Sequence, residues 1–290
     1  MKQTIASYLL IILIVSCAQT GEHKVLTYQN IVILSDMSSR IYNRPLKDLS
    51  EIHKIVQYFK NECVKPGEKI GDKSSIYFSA FSEKVAASID INQIKNLGQK
   101  QRFINSTGEY KNSGLIQQIE IFERTVSSIY DSTRNSGLDL ISILIEKIEN
   151  ESIIKQNIFL TDGIDTTFIN YENDVYIFTD GYLEYLNKNS NKQFYFGVPE
   201  IEKIRQYCKL TNVNVAKALE NNSSLSLPVV KSEKYQYINL HVLETHERDF
   251  DIQNQTYKYS KGFRDNEILE TVWRKWAREC GFKNFEWRKY

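Results

Sequence analysis

Ile31-Val32-Ile33-Leu34-Ser35-Asp36-Met37-Ser38-Ser39-Arg40 is the stretch on which the fold turns. Its first four residues are apolar without alternation, and Ile31, Val32 and Ile33 are β-branched. That is the composition of a strand covered on both faces, as in the middle of a parallel sheet. The run stops at Ser35 and Asp36. Past Pro45, Leu49, Ile52, Val56 and Phe59 recur at helical spacing with Lys47, Lys54 and Lys60 on the wet side, which predicts an amphipathic helix. Strand followed by helix opens an α/β pattern.

The pattern continues outward from there. Residues 76–81 read as the next strand, and residues 89–113 are polar and irregular. Leu115, Ile119, Phe122, Val126 and Ile129 mark one helix; Leu138, Ile141, Leu144, Ile145 and Ile148 mark another, after a polar turn at 131–137. Two strand candidates follow: residues 157–160, ending in Thr161-Asp162-Gly163, and residues 175–178, ending in Thr179-Asp180-Gly181. The duplication does not recur, so it is no solenoid repeat. Residues 175–178 make the better central strand, and the first copy reads as part of an inserted hairpin. Residues 194–198 read as a short strand before a helix that carries Ile201, Ile204, Tyr207 and Cys208. Ile238, Leu240 and Val242 alternate with polar positions, as in a half-buried strand nearer a sheet edge. A last helix starts near Asn266, capped by Asp265, and ends at Gly281. Trp273, Trp276, Phe282, Phe285 and Trp287 are read as packing for this helix rather than as an exposed partner-binding stripe.

These elements predict an α/β fold of the doubly wound type: a mostly parallel central sheet with helices on both faces, in one domain over residues 30–290 that includes the C-terminal aromatic helix. Lys and Arg number 37 against 36 Asp and Glu, so no basic field recommends nucleic acid as a partner. Besides Cys17 the cysteines are Cys63, Cys208 and Cys280, widely spaced and without a CxxC, which fits neither a disulfide scaffold nor a zinc site.

At the N-terminus, Lys2 precedes an unbroken apolar run from Tyr8 to Val15, closed by Ser16 and Cys17. The run is too short to span a membrane and has the proportions of a signal h-region. Ile14-Val15-Ser16-Cys17 resembles the lipobox of bacterial lipoproteins. The resemblance implies that residues 1–16 are a signal peptide, that Cys17 is lipidated on its thiol and new amino group, and that residues 17–29 are a tether. The protein is then attached to a bacterial cell envelope through several acyl chains, enough for stable anchoring. Ala18, by resemblance to the sorting rule of enteric lipoproteins, points to the outer rather than the inner membrane.

Asp36-x-Ser38 at the end of the first strand and Thr179-Asp180-Gly181 at the end of a later one resemble the von Willebrand factor type A domain with its metal-ion-dependent adhesion site. The resemblance implies a doubly wound fold, a protein partner, and Mg²⁺ or another divalent cation held by Asp36, Ser38 and Asp180, with an open position that an acidic partner side chain fills. Asp162 is the alternative to Asp180, and Asp139 or Thr133 is the expected supplement. The chain departs from the family pattern at Arg40, where a third oxygen ligand is expected, and at Leu138, where a Thr is. A metal-free version of the site, in which Asp36 and Ser38 serve as turn and helix-start residues, is therefore the alternative.

Enzyme signatures are missing from the sequence. His246-Glu247 begins like a zinc-protease helix, but residue 250 is Phe250 rather than His. Asp36 is followed at the second position by Ser38 and not by Asp, unlike the haloacid dehalogenase phosphotransferases. Neither a Gly-x-Ser-x-Gly nor a phosphate-binding Gly-x-x-x-x-Gly-Lys loop occurs. The expectation is a binding protein, with a metal-free envelope scaffold second and a cation-dependent hydrolase third.

Overall fold

The computed structural model describes residues 23–38, 45–67, 71–81, 84–132, 137–161, 166–185, 192–244, 247–259 and 262–290. Cys17, Thr133 and Asp162 lie outside these residues, as do Ser39, Arg40 and His246. The strands are β1 (His23–Ser35), β2 (Ser75–Ala80), β3 (Ala87–Asp90), β4 (Ile158–Thr161), β5 (Thr166–Thr179), β6 (Ile238–Glu244), β7 (Phe250–Asp251), β8 (Thr256–Tyr257) and β9 (Asn284–Lys289). The helices are α1 (Pro45–Tyr58), α2 (Leu97–Ile104), α3 (Leu115–Ser132), α4 (Leu140–Asn150), α5 (Val198–Thr211), α6 (Val215–Asn221) and α7 (Asp265–Cys280).

Two compact units divide the chain: a large one, Tyr28–Gln156 with Tyr171–Tyr290, and a small one, Met1–Thr27 with Asn157–Asn170. In the large unit the strand order is β3-β2-β1-β5-β6-β9. β1 and β2 are parallel, as are β5 and β6, and β6 and β9; β3 runs antiparallel to β2. The small unit contains the hairpin in which β4 pairs antiparallel with the beginning of β5, Phe159 opposite Phe168. Thr161-Asp162-Gly163 thus follows a hairpin strand and Thr179-Asp180-Gly181 a central one.

The unbroken apolar run of β1 has a simple cause: successive side chains enter two different cores. Ile31 and Ile33, with Phe178 and Leu243, pack against Ile52 and Val56 of α1 and Leu115, Ile119 and Phe122 of α3. Val32 and Leu34, with Val175, Ile177, Leu240 and Val242, pack against α4, α5, α6 and the Ile268, Leu269, Val272, Trp273 and Trp276 stripe of α7. The fold is therefore a doubly wound α/β sheet with helices on both faces. Cys63, Cys208 and Cys280 are buried and free. Among the described residues no helix is long and apolar enough to cross a membrane.

Polar residues also sit inside this sheet. Asn30 on β1 and Asn173 on β5 are fully buried. The Asn30 amide donates to Asn173 Oδ1 and to the Ile153 carbonyl, each at 2.8 Å, and accepts the Ser75 hydroxyl at 2.7 Å. Asn173 donates to the Lys155 and Tyr237 carbonyls at 3.0 and 3.1 Å and accepts the Lys155 N–H at 2.8 Å. Both donors and both lone-pair positions of the Asn173 amide are used, the condition under which a buried polar group is tolerated.

Several elements differ from the sequence reading. β1 begins at His23, so part of the expected tether is strand. β6 lies next to the edge, with β9 as an unexpected outermost strand beyond it, and Phe285 and Trp287 pack from that strand. Residues 194–198 form no strand: a 3₁₀ turn at Lys192–Phe194 and a lone bridge from Phe196 to Leu183 precede α5. Within residues 89–113, the Asn96 side chain accepts the Gln99 N–H at 3.0 Å and starts α2. α6 starts the same way, on Asn214.

Candidate functional site at the ends of β1 and β5

The two acidic residues that follow the central strands are brought together by the sheet itself. The Asp36 N–H donates to the Phe178 carbonyl at 2.9 Å, extending the ladder one residue past β1. The crevice outside the carboxyl ends of such strands is where open α/β sheets take ligands. Asp36, Ser38 and Asp180 are all buried. Asp36 Oδ1 accepts the Ser38 N–H at 2.9 Å, and the Thr179 hydroxyl donates to Asp36 Oδ2 at 3.4 Å. Asp180 Oδ1 accepts the Tyr182 N–H at 3.2 Å. Between them Gly181 has φ +84°, and a Cβ there would lie 2.5 Å from the Trp287 ring, so this turn needs glycine.

The residue that completes the site comes from the loop after β6. Arg248 donates from Nε to Asp180 Oδ2 and from Nη1 to Glu184 Oε2, each at 2.6 Å. Its guanidinium lies 3.8 Å above the Tyr182 ring. Burial opposes the arginine's charge, but Asp180 and Glu184 outweigh it and hold Arg248 above its ordinary pKa. The Tyr182 hydroxyl donates to Asp265, and burial and that carboxylate push its pKa upward. Asp265 also pairs with Arg205, which stacks 3.6 Å over Tyr259. The Asp265 N–H donates to Asp249 Oδ2 at 2.9 Å, and burial raises the Asp249 pKa. Two ion-paired groups, Arg248 with Asp180 and Glu184 and Arg205 with Asp265, are thus linked through Tyr182.

A divalent cation asks for several hard oxygens in near-octahedral array. Asp180 instead has its carboxylate on a guanidinium, a fixed positive charge that repels a second cation. Asp139 caps α4: it accepts the Ser142 N–H at 3.1 Å and the Ser142 hydroxyl at 2.7 Å. Among the described residues no group of three or more His, Cys, Asp or Glu is placed to hold a metal. As arranged, these residues do not fit a divalent cation unless Arg248 is first displaced.

Sequence reasoning brought out Asp36, Ser38 and Asp180 because all three follow strand ends. It missed Arg248, Glu184 and Asp265. Arg248 follows the His246-Glu247 pair in what reads as an ordinary polar loop, and no spacing links it to a partner 68 residues away. The fold and this face define a doubly wound α/β domain whose acidic crevice is closed by an arginine. No protein-family model matches the chain, and no curated protein matches it either.

A second titratable group sits on the sheet. His241 on β6 stacks on Tyr176 of β5, ring centroids 4.5 Å apart. It bonds Asp174 through Nε2 at 3.2 Å and Glu286 through Nδ1 at 2.7 Å. Burial works against its charge, but the two carboxylates outweigh this and raise its pKa above 6.5. An NMR titration is expected to give a midpoint above the ordinary imidazole value, brought down by Glu286→Gln. A raised folded pKa means that His241 contributes its stability below the unfolded value and loses it as pH rises through the folded one. An ordinary midpoint in the folded protein would refute this.

Proposed function

We propose that this chain is a lipid-anchored envelope protein whose domain is a divergent relative of the von Willebrand A type, working by binding a protein partner at the carboxyl-end face rather than by catalysis. The observation that carries this reading is the convergence of Asp36 and Asp180 at the ends of adjacent central strands, on the motifs that resemble that family. Arg248 supplies positive charge to Asp180 and Glu184, so this reading of the binding face needs no metal. The anchor rests on the lipobox-like segment at Cys17.

A cation-dependent adhesion site, and behind it a cation-dependent hydrolase, form the second reading, favoured by the same pair of aspartates. A thermal melt of the EDTA-treated protein titrated with Mg²⁺, Mn²⁺ and Ca²⁺ separates them. A ligand that binds only the native state raises the melting temperature in a saturable way. The arginine-closed site predicts no shift at millimolar cation. Saturable stabilisation that Asp36→Ala abolishes would establish the cation-dependent reading instead.

A further inference from the structure

The small unit carries a surface that the carboxyl-end face does not account for. β4 has the sequence Ile-Phe-Leu-Thr, yet all four residues are exposed, with Ile158 at 45 %, Phe159 at 70 % and Leu160 at 53 %. Successive strand residues point to opposite sides, so apolar groups stand in solvent on both faces of this short strand. Val25, in the same unit, is 60 % exposed. Three consecutive exposed apolar residues of this kind mark an interaction site.

Chain length says what covers it. Cys17 precedes His23, where β1 begins, by six peptide steps, and residues 23–27 belong to the same compact unit as the hairpin. Six steps reach at most about 20 Å. Acyl chains on Cys17 therefore keep this unit within about that distance of lipid headgroups. A phenylalanine flanked by isoleucine and leucine is the chemistry that enters the headgroup and acyl boundary, and the exposed Lys24 suits an anionic surface. We propose that the β4–β5 hairpin is a membrane-docking element, with Ile158, Phe159 and Leu160 seated in the bilayer interface. This inference rests on the reading of Cys17 as the lipidated residue.

The test uses the full chain carrying Phe159→Trp, with Leu160→Trp as a second variant, in vesicles of phosphatidylethanolamine and phosphatidylglycerol with or without brominated acyl chains. The emission added over the wild-type chain is expected to be blue-shifted and strongly quenched by the brominated lipid. Added emission that stays unquenched overturns the proposal. If it is unquenched and red, β4 faces water; if unquenched and blue-shifted, a second copy of the chain or another protein covers the strand. Incorporation of an alkyne-tagged fatty acid, lost in Cys17→Ser, is scored in parallel. Label without quenching leaves the anchor and removes the hairpin; quenching without label keeps the hairpin and removes the anchor; neither removes both.

Discussion

Replacing Arg248 by alanine is expected to destabilise the protein by about 3–5 kcal/mol, the cost of leaving a buried charge without its partner. Asp180 has no exposed side-chain surface, and the change strips its carboxylate of the guanidinium while leaving Glu184 close by with the same sign. The ring of Tyr182 loses its stacked cation as well. In a chain of this size the melting temperature should fall by about 10 °C. Arg248→Lys should recover only part of this, because an ammonium cannot serve Asp180 and Glu184 from one rigid fork. Arg248→Met combined with Asp180→Leu and Glu184→Gln should lie close to wild type, since both carboxylates are then neutralised along with the guanidinium. A further consequence is a gain of function: with the guanidinium gone, millimolar Mg²⁺ should stabilise Arg248→Ala although it does nothing to the wild-type chain. An Arg248→Ala protein that melts with the wild type, and is as indifferent to Mg²⁺, would mean that Arg248 does not close this site.

Asn173→Ala is the second large effect, expected at about 3–5 kcal/mol in denaturant unfolding. The substitution deletes every bond of a fully used amide and strands the Lys155 N–H, the Lys155 and Tyr237 carbonyls and one Asn30 N–H inside the sheet. An unsatisfied buried group costs about 1–3 kcal/mol, and entering water offsets part of the sum. Asn173→Asp is the sharper probe. Its carboxylate still accepts from Asn30 and Lys155 but cannot donate to the two carbonyls, and it carries a charge into the sheet. Burial raises the pKa of such a group, so the defect of Asn173→Asp should shrink as pH falls and the acid takes up a proton. A loss below about 1 kcal/mol for Asn173→Ala would show that water replaces the amide at little cost.

These two residues also mark where the sequence stopped being legible. β1 was readable because burial on both faces forces an unbroken apolar run, and the pairing of Asp36 with Asp180 followed because each ends a central strand. Asn173 and Asp174 look like a strand boundary, and a reading from propensity starts the strand at Val175. β5 nevertheless begins at Thr166, since Asn30 and Lys155 satisfy Asn173, and Asn239 and His241 satisfy Asp174, from other parts of the chain. β9 was hidden for a related reason: Asn-Phe-Glu-Trp-Arg-Lys alternates like an edge strand, but its two aromatics read only as packing for α7. Arg248 had no local signal at all, because its meaning lies in Asp180 and Glu184.

Among the described residues the three free thiols are distributed so that each side of the sheet has its own reporter. Cys63 lies in the layer with α1 and α3, and burial pushes its pKa up to about 12. Cys208 and Cys280 lie in the opposite layer and are raised by burial too. The thiolate is the form that attacks an alkylating reagent, so none of the three reacts appreciably while it stays packed. The rate at which each sulfur is trapped is then a clock for the breathing of its own layer. The two halves of the domain can be timed separately, without a label that disturbs either.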